Sequence, residues 1–169
     1  MKITSAEANK LLKKLNDEYA SLLNKELRSK EFNAAIGEDV ESVRPKYDYD
    51  MVQKELESLE VKIRKIKHAL NVFNTTSVIE GFDMTIDEML VFIPQLTKRK
   101  AKLITMNSKL PKERVGEILG RSVNIIDYVY LNYDLDKVAA DLDVVTDELS
   151  RAQLALDIIN NSRHIEIDL

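Results

Sequence analysis

The stretch from Tyr49 to Phe73, YDMVQKELESLEVKIRKIKHALNVF, decides the fold. Its apolar residues fall at Val52, Leu56, Leu59, Ile63, Ile66, Leu70 and Phe73, an unbroken 4-3-4-3-4-3 series. A helix turns about every 3.6 residues, so this spacing gathers them into one stripe, the seam of a coiled-coil-like helix. Asp48 or Asp50 is placed to cap it, because an aspartate oxygen accepts from the free amides of a first turn. Pro45 lies just upstream, where its missing N–H costs no helical bond. The signal recurs at Leu135, Val138, Leu142, Val145, Leu149, Ala152, Leu156 and Ile159, spaced 3-4-3-4-3-4-3, with Asp134 as the cap. Helices of about 25 residues would each be ~37 Å long.

Working outward, Ala8, Leu12, Leu15, Tyr19 and Leu22 form the seam of a first helix, widened by Leu11 and Leu23 and capped by Ser5. Thr85-Ile86-Asp87-Glu88 has the spacing of a capping box and opens another helix. Its apolar face is less regular (Leu90, Ile93, Leu96, Leu103, Ile104), and Pro94 predicts a kink or break near Leu90. The helices therefore span about 6–29, 49–73, 86–106 and 135–160. Residues 31–36 (EFNAAI) and 123–133 (VNIIDYVYLNY) read as extended pieces, the second rich in β-branched and aromatic side chains. If these two pair antiparallel, the first and last helices lie side by side and the middle two form a hairpin through Thr75–Asp83. The expected fold is all-α: a single domain over 1–169, four long helices in an up-down-up-down, coiled-coil-like bundle with a left-handed supercoil. A small two-stranded β element closes one end.

Composition agrees. The chain has 169 residues, 32% charged and 44% hydrophobic, with 4 Gly, 3 Pro, no Cys and no Trp, which favours long helices over a loop-rich sandwich. Without cysteine there is no disulfide framework, thiolate nucleophile or cysteine metal site. A net charge of −4 and a pI near 5.3 give no global attraction to nucleic acid. MKITSAEANKLLKKLNDEY lacks the apolar core of a signal peptide, and no run approaches the ~18 apolar residues of a membrane span. A cytoplasmic location is therefore expected.

Four pieces, in order, carry a family resemblance. They are the Phe32-Asn33-Ala34-Ala35-Ile36 segment after a capped helix, a long helix closing on Asn71, Asn74 and Thr76, the Gly81–Thr85 turn before a capped helix, and Arg121, Ser122 and Asp134 ahead of the last helix. In these the chain resembles the septicolysin-like family of uncharacterised bacterial helical proteins, over nearly its whole length. Pro94 and the Asn107–Gly120 segment depart from the family's pattern, so the third long helix is expected to differ here. The resemblance implies a helical fold and carries over no catalytic residues.

The residues themselves point away from catalysis. The two histidines, His68 and His164, are far apart; His68 falls on the solvent side of its helix and His164 in the tail. A zinc site needs three or four convergent ligands, and a di-iron bundle needs Glu-x-x-His pairs, which do not occur. Gly120-Arg121-Ser122 matches no phosphate-loop spacing. No cofactor and no metal are expected, and no enzyme activity.

Charge is more suggestive. Between Lys98 and Arg121 there are eight cations (Lys98, Arg99, Lys100, Lys102, Lys109, Lys112, Arg114, Arg121) against Glu113 and Glu117. Asp134–Glu148 holds six acids and one lysine. The basic run could bind phosphates, and Pro111–Ile125 has a helix-turn-helix cadence, although the residues after its glycine turn read as a strand. The plainer reading is that the basic and acidic faces complement each other, within a chain or between subunits. The aromatic group around Arg44–Tyr49 reads as a staple at the start of the second long helix. Asn71, Asn74 and Thr76 suit C-capping and are also the candidate interaction surface. Together these features describe a non-catalytic protein acting by self-association or by binding another helical protein. The competing expectation is a nucleic-acid-binding accessory protein using Lys98–Arg121.

Overall fold

The structure, a computed structural model, describes residues 1–114 and 128–169. It is mostly α-helical with small two-stranded sheets, the class that the heptad seams imply. The chain divides into two compact units: Met1–Ser77 together with Ile158–Leu169, and Val78–Asp157.

In the first unit, β1 (Lys2–Thr4) leads into α1 (Ser5–Ser29), a short turn of helix α2 (Val40–Val43) and the long α3 (Tyr49–Thr76). The cap of α1 is Thr4, not Ser5. Only Thr4 has a glutamate three residues on, and the Glu7 carboxylate accepts from the Thr4 amide at 2.8 Å while Thr4 Oγ1 accepts from the Glu7 amide at 3.2 Å. Ser5 is buried instead. Asp48 caps α3, accepting from the Met51 amide at 3.0 Å. All of the α3 seam is buried or half-buried.

Side-chain bonds set the pairing of α1 with α3. Tyr19 Oη donates to Glu60 at 2.8 Å, and Tyr47 Oη and Gln53 Nε2 donate to Glu26 at 2.7 and 2.8 Å. Moving up α1 from Tyr19 to Glu26 moves down α3 from Glu60 to Gln53, so the helices run antiparallel. The Arg44–Tyr49 segment is tied in through Tyr47, and Arg44 lies over the Phe32 ring.

The sheet of this unit is not the expected one. β1 pairs antiparallel with β6 (His164–Glu166), aligning Ile3 with Ile165, and Met1 and Ile167 exchange two further bonds at 2.7 and 2.8 Å. Ile165 and Ile167 are buried. Residues 31–36 form no strand. A turn over Ala35–Glu38 bends them away, with Gly37 at φ +89° and the Glu38 carboxylate accepting from the Ala35 amide at 2.9 Å. The left-handed step at Gly37 is sterically open to glycine and ends any extended run.

The second unit opens with a tight hairpin, β2 (Val78–Ile79) against β3 (Met84–Thr85), whose turn needs positive φ at Gly81 and Asp83. Thr85 then caps α4 (Ile86–Asn107) with the expected box: its amide donates to Glu88 at 2.7 Å and its Oγ1 accepts from the Glu88 amide at 3.2 Å. Of the kink or break expected near Leu90, the break does not occur, for α4 runs on through Pro94. Leu90, Val91 and Pro94 are all exposed, so the carbonyl deprived of its partner lies in a turn that water reaches. The buried face of α4 is also shifted from the expected one. Ile86, Met89 and Leu96 are buried, with Ile93 and Leu103 half-buried, while Leu90 and Ile104 point outward. Counting from Leu90 misses a regular 86-89-93-96-100-103 seam because a lysine, Lys100, occupies one of its positions.

β4 (Lys112–Arg114) pairs antiparallel with β5 (Tyr128–Tyr130). The partner of the aromatic strand is thus a neighbouring segment rather than residues 31–36; closing a short loop costs less chain entropy than closing a long one. Residues 123–127 of the expected strand, and most of the helix-turn-helix candidate, lie outside the described residues. Asp134 caps α5 (Leu135–Ser162), accepting from the amides of Asp136 and Lys137 at 2.8 and 3.4 Å. Tyr133 Oη donates to the Met106 carbonyl at 2.9 Å, tying the start of α5 to the end of α4. Val138, Val145, Leu149 and Ala152 of the α5 seam are buried in this unit, and Ile159 is buried in the first. No helix among the described residues is long and apolar enough to cross a membrane.

Candidate functional site

Two surfaces stand out, one on each unit. On the first, the α1–α3 pair leaves a groove of about 520 Å³ lined by Asn16, Tyr19, Glu60, Ile63, Arg64, Lys67, His68 and Asn71. Ile63 and Tyr19 are half-buried, and the other lining residues are exposed polar or charged groups. The Tyr19 phenol is held above its usual range, first because its hydroxyl donates to the Glu60 carboxylate and then because it is partly desolvated. Arg64, Lys67 and Asn71 succeed one another along the rim at one-turn intervals.

The groove itself carries both signs, Arg64 and Lys67 beside Glu60, but the helix stretches next to it are basic. Residues 8–16 of α1 and 61–75 of α3 contain Lys10, Lys13, Lys14, Lys62, Arg64, Lys65 and Lys67 and no acid. Antiparallel pairing sets these two stretches side by side, and every one of these cations is exposed; Arg64 and Lys67 line the groove, while Lys62 shares a different depression with Glu57. Among the described residues the one ion pair in this region is Lys14 with Glu18, at 3.7 Å between exposed side chains, too solvated to neutralise the patch. These basic stretches were missed in the sequence because they are separated by the α1–α3 connection. A count of acids by segment, rather than of cations, would have flagged both.

The residues singled out from sequence are distributed differently. Asn71 lines the groove, Asn74 is half-buried, and the Thr76 hydroxyl donates to the Val72 carbonyl at 2.7 Å within its own helix. They do not form one surface. Of the expected basic run, Lys98 and Lys102 are one turn apart on α4, Arg99 is offset from them, and Lys100 is half-buried at the seam. Lys109 and Arg114 are exposed, while Lys112 Nζ sits 4.1 Å and 5.2 Å from the ring centres of Tyr128 and Tyr130. Arg121 lies outside the described residues. The described cations are spread around α4 and along the segment to β4 instead of lining one face. His68 is exposed on the groove wall and His164 is exposed on β6. Among the described residues no group of three or more metal-ligating side chains converges.

On the second unit the notable feature is the outward face of α5. Val144 is 65% exposed and Leu154 62%, and Ile158, further along the same helix, is 58% exposed. These are large apolar groups on the side away from the buried seam.

No family model and no curated protein matches the chain. Among solved structures, the crystal structure of a functionally unknown conserved protein from Corynebacterium diphtheriae is similar, with a TM-score of 0.63 at 15% identity, covering 98% of this chain and 100% of that one. At that identity the likeness is one of fold.

Proposed function

We propose that this is a non-catalytic helical protein of the cytoplasm that acts by associating through its helix faces, with itself or with a second helical protein. The observation that carries the reading is the outward face of α5, where Val144 and Leu154 remain 65% and 62% exposed on a helix whose other face is already filled. Apolar groups repeated at helical spacing on a surface mark an association site more often than scattered ones do. Light scattering coupled to size exclusion, over a concentration series, tests this. A mass that rises with concentration supports it, and a monomer throughout refutes self-association and leaves a heterologous partner to be sought.

A second reading is binding of a nucleic acid. The acid-free stretches 8–16 and 61–75 favour it more than Lys98–Arg121 does, because they set seven exposed cations on two paired helices with no carboxylate among them. Polarisation of a labelled oligonucleotide across a salt series tests it, since each phosphate contact steepens the fall of affinity with salt. Arg64→Glu with Lys67→Glu should then abolish binding, while Lys98→Glu with Lys102→Glu should leave most of it.

A further inference from the structure

The outward face of α5 carries a second heptad series, distinct from the buried seam. Ala140, Val144, Asp147, Arg151, Leu154 and Ile158 are spaced 4-3-4-3-4, and all are exposed. Read from either end the chemistry is the same: two apolar residues, a charge, the opposite charge, two apolar residues. Its midpoint falls between Asp147 and Arg151. An antiparallel copy of this helix laid across that midpoint brings Val144 against Leu154 of the other copy and Asp147 against Arg151, with Ala140 and Ile158 at the ends. A two-fold axis repeats each contact, so two Asp–Arg pairs and their apolar flanks form at once. A parallel pairing would instead set Asp147 against Asp147 and Arg151 against Arg151. The charge order thus selects one orientation.

Resting on the self-association reading, we propose that α5 is a homodimerisation helix that pairs antiparallel with α5 of a second copy about the Asp147–Arg151 midpoint. Arg151 already has a neighbour that restrains it, its guanidinium lying 5.7 Å from the centre of the Phe82 ring. That contact reduces the rotamer freedom lost when a carboxylate arrives. A single pair of helices over about 27 Å buries an area at the small end of specific interfaces, so the dimer is weak and exchanges rapidly. Asp143 and Glu148 flank the stripe, and their like charges oppose association. Salt therefore acts in both directions, weakening the central pairs and relieving the flanks, and charge exchange is the deciding measurement.

Sedimentation velocity on the full chain provides it. Asp147→Arg and Arg151→Asp should each raise the dissociation constant by roughly tenfold or more, since each sets like charges against one another twice. Mixing the two single variants should restore association as a heterodimer, and the double variant D147R/R151D should restore the homodimer. Leu154→Glu, which places a carboxylate against Val144, should weaken every combination. Circular dichroism confirms that each variant folds; Asp147→Arg leaves the Arg151–Phe82 contact intact and so controls for its loss. If the wild type dimerises but the exchanges change nothing, the α5 interface is overturned while self-association by another face stands. If the wild type stays monomeric, both are overturned.

Discussion

Replacing Ile66 by alanine probes the α1–α3 packing directly. Ile66 is 0% exposed, at the middle of the α3 seam. The substitution removes three carbons, about 2.4 kcal/mol of transfer free energy at ~0.8 kcal/mol per buried methylene. The void adds up to about 2 kcal/mol, depending on how far α1 and α3 close over it, giving a total loss within the ~2–5 kcal/mol usual for such truncations. His68→Ala, on the same helix but exposed on the groove wall, should change stability by no more than ~0.5 kcal/mol. Urea unfolding monitored by circular dichroism compares the two. Because the chain has two compact units, the Ile66→Ala loss should fall on the transition of the first if they melt separately. A change below about 1 kcal/mol for Ile66→Ala, or an equal change for His68→Ala, would refute the α3 register derived from its spacing.

The caps and the tyrosines give further expectations. Thr4→Ala should cost about 1 kcal/mol of stability and Ser5→Ala should not act as a cap deletion, a contrast readable in thermal melts. The Glu7 and Glu88 carboxyls are held below 4.5 by hydrogen bonds from Thr4 and Thr85, the backbone amide contributing most. Their contribution is present above 4.5 and lost as pH falls through the lowered folded values, so the E7Q/E88Q variant should show a shallower acid unfolding slope than the wild type. The Tyr47 phenol is pushed up to about 12, mainly by its bond to the Glu26 carboxylate. That contribution is complete below the ordinary value of 10 and disappears as pH rises towards 12. Tyr47→Phe should flatten stability over that interval, and spectroscopic titration should show one fewer late-titrating phenolate.

The helices were legible in the sequence because burial on a helix is a local periodic signal. Val52 to Phe73 and Leu135 to Ile159 each repeat without a break, and the structure turns those residues inward. Asp48, Thr85 and Asp134 were legible as caps for the same reason, since a cap acts within one turn. Thr4 was equally local; its partner Glu7 identifies it once the spacing is counted from the glutamate backwards. The α4 seam was obscured by Lys100, whose long aliphatic stem occupies an inward position while its charge defeats an apolar count.

What tertiary structure decided is everything that depends on which segments meet. No local pattern says that β1 aligns with β6 across nearly the whole chain, or that β5 pairs with β4 rather than with residues 31–36, because strand pairing is a competition among distant edges. The groove exists only because Tyr19 meets Glu60, and the two acid-free basic stretches adjoin only because residues 8–16 lie against 61–75. The outward stripe of α5 shows the same division. Its 4-3-4-3-4 spacing is written in the sequence, but two stripes share that helix, and only the packing that buries Val138, Val145, Leu149 and Ala152 leaves Val144 and Leu154 facing water.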